Sequence, residues 1–523
     1  MSRSRGVLFV LFLAGIPALH GCGPSGTLRN RNVIVVLVDT LRKDRVGAFG
    51  GPPELTPHLD RLASEGFRFE RAYAPSSWTK PSVASLFTGL YPARHGTGLY
   101  LEQAERGLGQ GRLTLPKEAP TLAERFHEAG YVTAAFVNNP HICAANGFDR
   151  GFDTFTPAAG KAETLLRKAE EWIEENRSKP FFLYLHLIDP HSPYEPPAPF
   201  RGRFGPPDPG PGAPLTRRGF PVEVMLWQEA YREWRRRNKG KGERFRFDYE
   251  NLTRLMEKAG GGFPSHIDVR KIQHQVFLDF QGYDDPRLLA RSRCLQALYD
   301  GEVAYTDAAL GRFFDGLRGM GLLDETVLVV TADHGEGFFE HGTWWHGQGV
   351  YGEEVDIPLL FRVPGPTGGP LRGSSSLPVS LVDLAPTLLR MLGLPPLEDA
   401  DGRSLWGVLR GGGGASPRPG PVFCDGYLIN GIHLAAVEGR WKMIRTAPLE
   451  GGVRYELYDL ARDPGERRVL DPEAGGAEAK RVARALRRLL DDRAALRLPE
   501  GKDEPVPRGL TEEEAAEMRA LGY

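Results

Sequence analysis

The segment Thr331-Ala-Asp333-His334-Gly-Glu-Gly337 sets a carboxylate beside an imidazole, directly after the apolar run Val327–Val330. Oxygen and imidazole donors together suit a divalent ion of the zinc type. Gly335 lets the chain turn sharply behind them. A second apolar run, Asn32–Val38, ends in Asp39, and a third, from Phe181, leads into His186-Leu-Ile-Asp189-Pro-His191. In Ser77-Trp-Thr79-Lys80-Pro81-Ser82, Pro81 marks a helix start and puts the Thr79 hydroxyl at its N-terminus. Unpaired N–H groups there favour an anion, although Thr-x-Pro-Ser is also an ordinary cap in which Thr79 serves only the helix. Asp39, Thr79, Asp333 and His334 make a four-ligand set, and Asp189, His191 and His346 supply donors for a second site.

Such residues need a scaffold that gathers strand ends. The runs ending at Asp39 and Asp333, with Val132–Val137 and Phe181–Asp189, are apolar throughout, the pattern of parallel strands buried on both faces. Helix-like stretches at Pro57–Glu65, Thr121–Ala129, Glu163–Asn176 and Gly301–Arg318 alternate with them. The alternation predicts an α/β fold, a mostly parallel central sheet with helices on both faces. Ligands of such sheets sit beyond the carboxyl ends of the strands, where these aspartates fall.

The main domain is expected over residues 30–409, with an insertion at 198–295. The insertion's basic patch around Arg235–Lys241 suits either an anionic substrate or a solvated helix end. Residues 410–421, rich in Gly and Pro, read as a linker. Short strand candidates at Val422–Leu428, His433–Glu438, Trp441–Arg445 and Tyr455–Leu460, then a helix-rich tail, predict a small antiparallel α+β subdomain over 422–523. At the other end, Arg3 and Arg5 precede an apolar run that closes on Leu19-His-Gly-Cys22. That is a secretory signal over 1–21, of the lipoprotein type if Cys22 carries the lipid and of the ordinary type if it does not. The expected location is the cell envelope, anchored through that lipid and facing the periplasm or exterior, with secretion as the alternative.

Composition narrows the partners. The chain has 523 residues, with 66 Lys and Arg against 67 Asp and Glu, for a net charge of −1. It has no basic excess for nucleic-acid phosphates. At 41% hydrophobic residues it can bury a large core. Four cysteines cannot form a disulfide framework at this length.

The ordered set of motifs resembles the sulfatase family of the alkaline phosphatase superfamily. The resemblance is carried by Asn32–Arg42, the Thr79 helix start with Thr88-Gly89, Asp189-Pro-His191, Tyr299-Asp-Gly-Glu302, Asp333-His334-Gly335, Asp383–Leu388, Trp441-Lys442 and Leu457–Leu460. It implies a metal held by Asp39, Asp333 and His334, a nucleophile at Thr79, and Asn138, Asn139 and His141 gripping the ester. It also places His346 where the family keeps a substrate-binding Lys. Two departures stand out: the family's nucleophile is Cys or Ser matured to formylglycine, here Thr79, and its motif Arg is here Val83. Oxidising a threonine gives a ketone rather than an aldehyde, so the formylglycine route is closed.

The resulting expectation is a metal-dependent hydrolase of phosphate or phosphonate esters using Thr79, Lys80 and His191. A true sulfatase without formylglycine, an envelope phosphoryl-group transferase and an inactive binding protein are the alternatives. Two zinc ions are expected, with manganese or one calcium as alternatives. The substrate is a small-molecule, glycan or lipid ester.

Overall fold

The computed structural model describes residues 27–98, 114–157, 160–192, 194–205, 286–342, 344–365, 369–411, 420–428, 431–448, 452–473 and 475–496. The expected signal segment with Cys22, the patch at Arg235–Lys241, most of the 198–295 insertion and most of the 410–421 linker lie outside these residues.

The central sheet has eight strands: β1 (Asn32–Val38), β2 (Phe67–Phe69), β3 (Val132–Val137), β4 (Thr154–Pro157), β5 (Phe181–Leu187), β6 (Thr326–Thr331), β7 (Leu359–Arg362) and β8 (Gly373–Ser375). Their order across the sheet is β8-β2-β7-β6-β1-β5-β3-β4. β6, β1, β5, β3 and β4 run parallel. β7 runs antiparallel to both neighbours, β6 and β2, and β8 is parallel to β2. The mostly parallel expectation therefore holds, with one reversed strand near an edge. β1 lies at the centre, and its side chains from Val33 to Val38 are fully buried. Each such side chain contributes about 1.5–3 kcal/mol relative to exposure, which is why this strand tolerates no alternation.

The principal helices are α1 (Pro57–Glu65), α2 (Thr79–Thr88), α3 (Leu122–Glu128), α4 (Ala162–Asn176), α5 (Pro286–Gly319), α6 (Leu384–Leu392) and α7 (Gly476–Ala494). α3 starts with a capping box in which Thr121 and Glu124 satisfy each other's backbone N–H groups. α5 begins at Pro286, so it crosses the boundary expected for the insertion.

A second sheet, β9 (Val422–Leu428), β10 (Gly431–Glu438), β11 (Trp441–Pro448) and β12 (Arg454–Asp459), is an antiparallel meander. Its period of two splits two cores. Ile432, Leu434 and Ala436 of β10 pack with Ala479, Ala483, Leu486 and Leu490 of α7, while Ala435 and Val437 join the core of the central sheet. The sheet is thus clasped between α7 and the main body. Among the described residues no helix is long and apolar enough to cross a membrane.

Candidate active site

Register assembles the site. Leu37 of β1 pairs with Thr331 of β6 and His186 of β5, and Val137 of β3 pairs with His186. Residues two further along each strand fall on the same face, which lines up Asp39, Asp333 and Asn139 beyond the carboxyl ends, above His186. The contacts agree. Asp39 Oδ2 accepts from Asn139 Nδ2 at 2.8 Å and lies 3.1 Å from His186 Nε2. Asp333 Oδ1 accepts from the Thr40 and His334 backbone N–H groups at 3.2 and 2.9 Å.

Each carboxylate has one oxygen left over. Asp39 Oδ1 and Asp333 Oδ2 are buried with no hydrogen-bond partner. Those two oxygens lie 3.9 and 3.5 Å from His334 Nε2. Asp39, Asp333 and His334 are, among the described residues, the one group of three or more acidic, His or Cys side chains with donor atoms within 4.8 Å of one another. His334 Nδ1 faces the Gly335 carbonyl at 2.8 Å, so it carries the proton and leaves Nε2 as the lone-pair nitrogen on the cluster. Orphaned oxygens and an oriented imidazole are the donor set a divalent cation requires, and the fit is good.

Burial pushes the Asp39 carboxyl up, but the His186 hydrogen bond and the imidazoles of His191, His186 and His334 bring it below the ordinary range. Burial holds Asp333 well above that range, with the Asp39 charge adding to it. Burial, with His346 alongside, holds His334 well below the usual imidazole value.

Thr79 is the first residue of α2, and Trp78 is its N-cap with no side-chain cap hydrogen bond. The capping alternative is therefore overturned. The Thr79 hydroxyl is fully buried and lies 3.2 Å from His334 Nε2. Lys80 is buried in the same turn, its ammonium pushed down to about 8 by burial, with Cys143 working the other way.

Two further imidazoles crowd the cluster. The His346 ring lies 4.4 Å from that of His334 and 5.0 Å from that of His191. His346 Nδ1 is 2.9 Å from Glu336 Oε1, whose other oxygen accepts from the Tyr194 hydroxyl at 2.8 Å. Burial works against charge on His346, but Glu336 raises it to about 9. His191 Nδ1 faces the Ser192 carbonyl, and burial lowers its pKa.

The structure places several of the expected site residues elsewhere. Asp189 does not join a second cation site: Oδ2 accepts from the Ala162 N–H at 2.7 Å and Oδ1 from Lys161 Nζ at 3.1 Å. It caps α4, so Asp189 does not stand with His191 and His346 as a ligand of a second ion. Asn139 does not face an ester, since its N–H₂ holds Asp39 and its oxygen accepts from the His141 N–H at 2.9 Å. Asn138 donates to the Gly160 carbonyl. His141 packs edge-on against Trp78, ring centroids 5.3 Å apart.

Sequence reasoning also missed residues that brace the site. His186 carried the signal of a polar residue inside an apolar strand. Glu336 stood in the Asp333 motif without a role. Thr40 had no signal: it is a β-branched residue at φ 57 with a buried, unpartnered hydroxyl. That strained backbone is held by the Tyr299 hydroxyl, which donates to the Thr40 carbonyl at 2.7 Å and accepts from the Arg42 N–H at 2.9 Å.

Known proteins resemble the chain in sequence and in fold. An N-acetylglucosamine-6-O-sulfatase of Bacteroides thetaiotaomicron is 25% identical, over 73% of this chain and 71% of that protein. The steryl-sulfatase of Mus musculus is 28% identical, over 89% of this chain and 81% of that protein. The crystal structure of a phosphonate monoester hydrolase of Agrobacterium radiobacter shares the fold with a TM-score of 0.61 at 23% identity, covering 90% of this chain and 96% of that one. The sulfatase family model matches residues 31–394. That match spans well over half of the sequence and includes the whole Asp39, Thr79, Asp333 and His334 cluster: the chain is a hydrolase belonging to the sulfatase family.

Proposed function

We propose that the chain hydrolyses phosphate or phosphonate esters through the Thr79 hydroxyl, beside one divalent cation held by Asp39, Asp333 and His334. The observation that carries this reading is the Thr79 hydroxyl itself, buried, not used as a cap, and 3.2 Å from His334 Nε2. When bound, the cation supplies Lewis-acid charge that favours the deprotonated Thr79 oxygen and the ester oxygen beside it. The mixed carboxylate and imidazole donors suit zinc or manganese better than calcium, which takes six to eight oxygens.

The remaining steps belong to the chain. Thr79 Oγ1 bonds to phosphorus as the bond to the leaving oxygen breaks. His346, kept protonated by Glu336, donates to a non-bridging oxygen as charge builds there. Lys80 and the α2 N-terminus add positive charge to the same face. With the His191 Nδ1–H donated to Ser192, its Nε2 is the atom that takes the Thr79 proton as Oγ1 attacks, passes it to the leaving oxygen, and then takes one from water for return to Oγ1. Water then attacks phosphorus, the bond to Oγ1 breaks, and Thr79 regains its proton.

A sulfate ester is the second reading, favoured by the names of the sequence relatives. It is weakened by the nucleophile, because a formylglycine hydrate expels sulfate by breaking its own C–O bond and a threonine has no such exit. Assays with Zn²⁺, Mn²⁺ or Ca²⁺ on aryl phosphate, phosphonate, phosphodiester and sulfate, beside Thr79→Ala, separate the two. Phosphorus esters should turn over fastest, label from radioactive phosphate ester should appear on Thr79, and the variant should be inactive. Dominant sulfate turnover, or a fully active variant, removes the reading. We place the enzyme in the cell envelope through a lipid on Cys22, for which Cys22→Ser should release it from membranes.

A further inference from the structure

The loop that carries His346 is fastened at several points. Gly347 N–H donates to the Ser77 carbonyl at 2.9 Å, two residues before Thr79. Gln348 and Gly349 N–H groups donate to Glu354 Oε2 at 2.9 and 3.2 Å. The carbonyls of Glu354 and Glu353 accept from Gly335 and Glu336, each at 2.8 Å, directly behind His334. A methyl group on Gly335 would sit 2.1 Å from the Glu353 carbonyl oxygen, so only glycine permits this clasp.

His341 ties the clasp to the other sheet. Its Nδ1 lies 2.7 Å from Glu353 Oε1 and its Nε2 lies 2.9 Å from the backbone carbonyl of Glu466, in the turn after β12. A carboxylate and a carbonyl only accept, so both ring nitrogens carry protons and the side chain is an imidazolium. Its ring lies flat on Tyr351, centroids 4.0 Å apart. Burial opposes that charge while Glu353 favours it, and the pKa is raised. Glu466 is itself fixed: Oε1 meets buried Lys442 of β11 at 2.6 Å and Oε2 accepts from the Gly352 N–H at 3.2 Å. The Tyr351 hydroxyl donates to Glu456 of β12 at 2.8 Å, and Arg467 reaches the Glu340 carbonyl.

We propose that His341 is a positioning residue, a partly buried imidazolium that fastens the His346 loop to the C-terminal sheet and makes that sheet part of the catalytic apparatus. The proposal rests on the role given to His346 above, but its test does not need catalysis. Amide hydrogen exchange at Gly347–Gly349 reads the loop directly. His341→Ala should raise exchange there about tenfold while the amides of β1 and β6 stay protected and metal content is unchanged. Its kcat should fall about tenfold with a smaller change in KM, because His346 acts on the transition state. His341→Gln keeps one donor without the charge and should fall between the two, which covers the case in which the alanine variant does not fold. Wild-type exchange at Gly347–Gly349 in both variants, or a fall in kcat without faster exchange, overturns the proposal. A wild-type chain that hydrolyses no ester would defeat the function reading alone, and exchange would still decide this one.

Discussion

Two acidic clusters lie at the carboxyl end of the same sheet, and they are neutralised in opposite ways. At the ends of β1 and β6, Asp39 and Asp333 each keep a buried oxygen without a partner. At the end of β5, Asp189 and Glu302 share Lys161: its Nζ lies 3.1 Å from Asp189 Oδ1 and 2.9 and 3.2 Å from the two Glu302 oxygens. Backbone N–H groups of Ala162 and Glu195 complete the shell at 2.7 and 2.9 Å. One cluster carries its own cation and holds the chain in place, while the other has two buried oxygens that a bound cation would satisfy. Burial of like charges is costly in both, so a cluster without a lysine is the one to read as a cation site.

The largest test of that contrast is Asp39→Asn. The amide keeps the shape and removes the charge, so bound metal should be lost and kcat/KM should fall by about 10²–10³ or more. Metal analysis and steady-state assays check both, and retention of metal at wild-type stoichiometry would break the comparison. His186→Ala is the next step down. It removes the partner that orients Asp39 without touching a cation donor, so metal affinity should drop about 10–100-fold. Titration with a competing chelator measures it.

The Lys161 cluster should answer to pH instead. Burial, then the Asp189 charge, raises the Glu302 carboxyl from 4.5 to about 7. Because the folded value is the higher one, Glu302 favours the fold below pH 4.5 and that contribution is lost as pH rises through about 7. Glu302→Gln mimics the protonated form, so its stability should fall less between pH 5 and 8, by about 1–2 kcal/mol relative to wild type. Urea midpoints at both pH values check this, and metal content should be unchanged.

How far the sequence could be read follows from the same contrast. The β1 and β6 runs, the Thr79 helix start and the C-terminal meander were legible because apolar runs, proline position and turn spacing are local signals. Each strand of that meander lies within a few residues of its expected place. The short strands β2, β7 and β8 were not, since three or four residues hold no period. Orientation was the harder loss. In a strand buried on both faces nothing local tells which side a residue takes, so Asp189 looked equivalent to Asp39 and Asp333. Only the placement of α4 and α5, which bring Lys161 and Glu302 to it, decides otherwise. Asn139 failed for a related reason: the register of β3 against β5 turns its amide onto Asp39.

Neighbouring asparagines give the finest test, because Asn138 and Asn139 are adjacent in the chain and tied to different things. Asn139 Nδ2 braces a carboxylate of the cation cluster, and Asn138 Nδ2 donates to the Gly160 carbonyl ahead of α4. Replacing Asn139 by Ala removes one of two donors to Asp39 Oδ2 and should weaken metal binding as His186→Ala does. Asn138→Ala removes one partly exposed hydrogen bond, worth about 0.5–1.5 kcal/mol of stability, and should leave kcat/KM within about twofold, since a loop tie of this kind touches no reacting atom. If Asn138→Ala instead raises KM tenfold with metal content intact, the residue grips the ester after all, and the loop after β3 is a substrate wall rather than a brace.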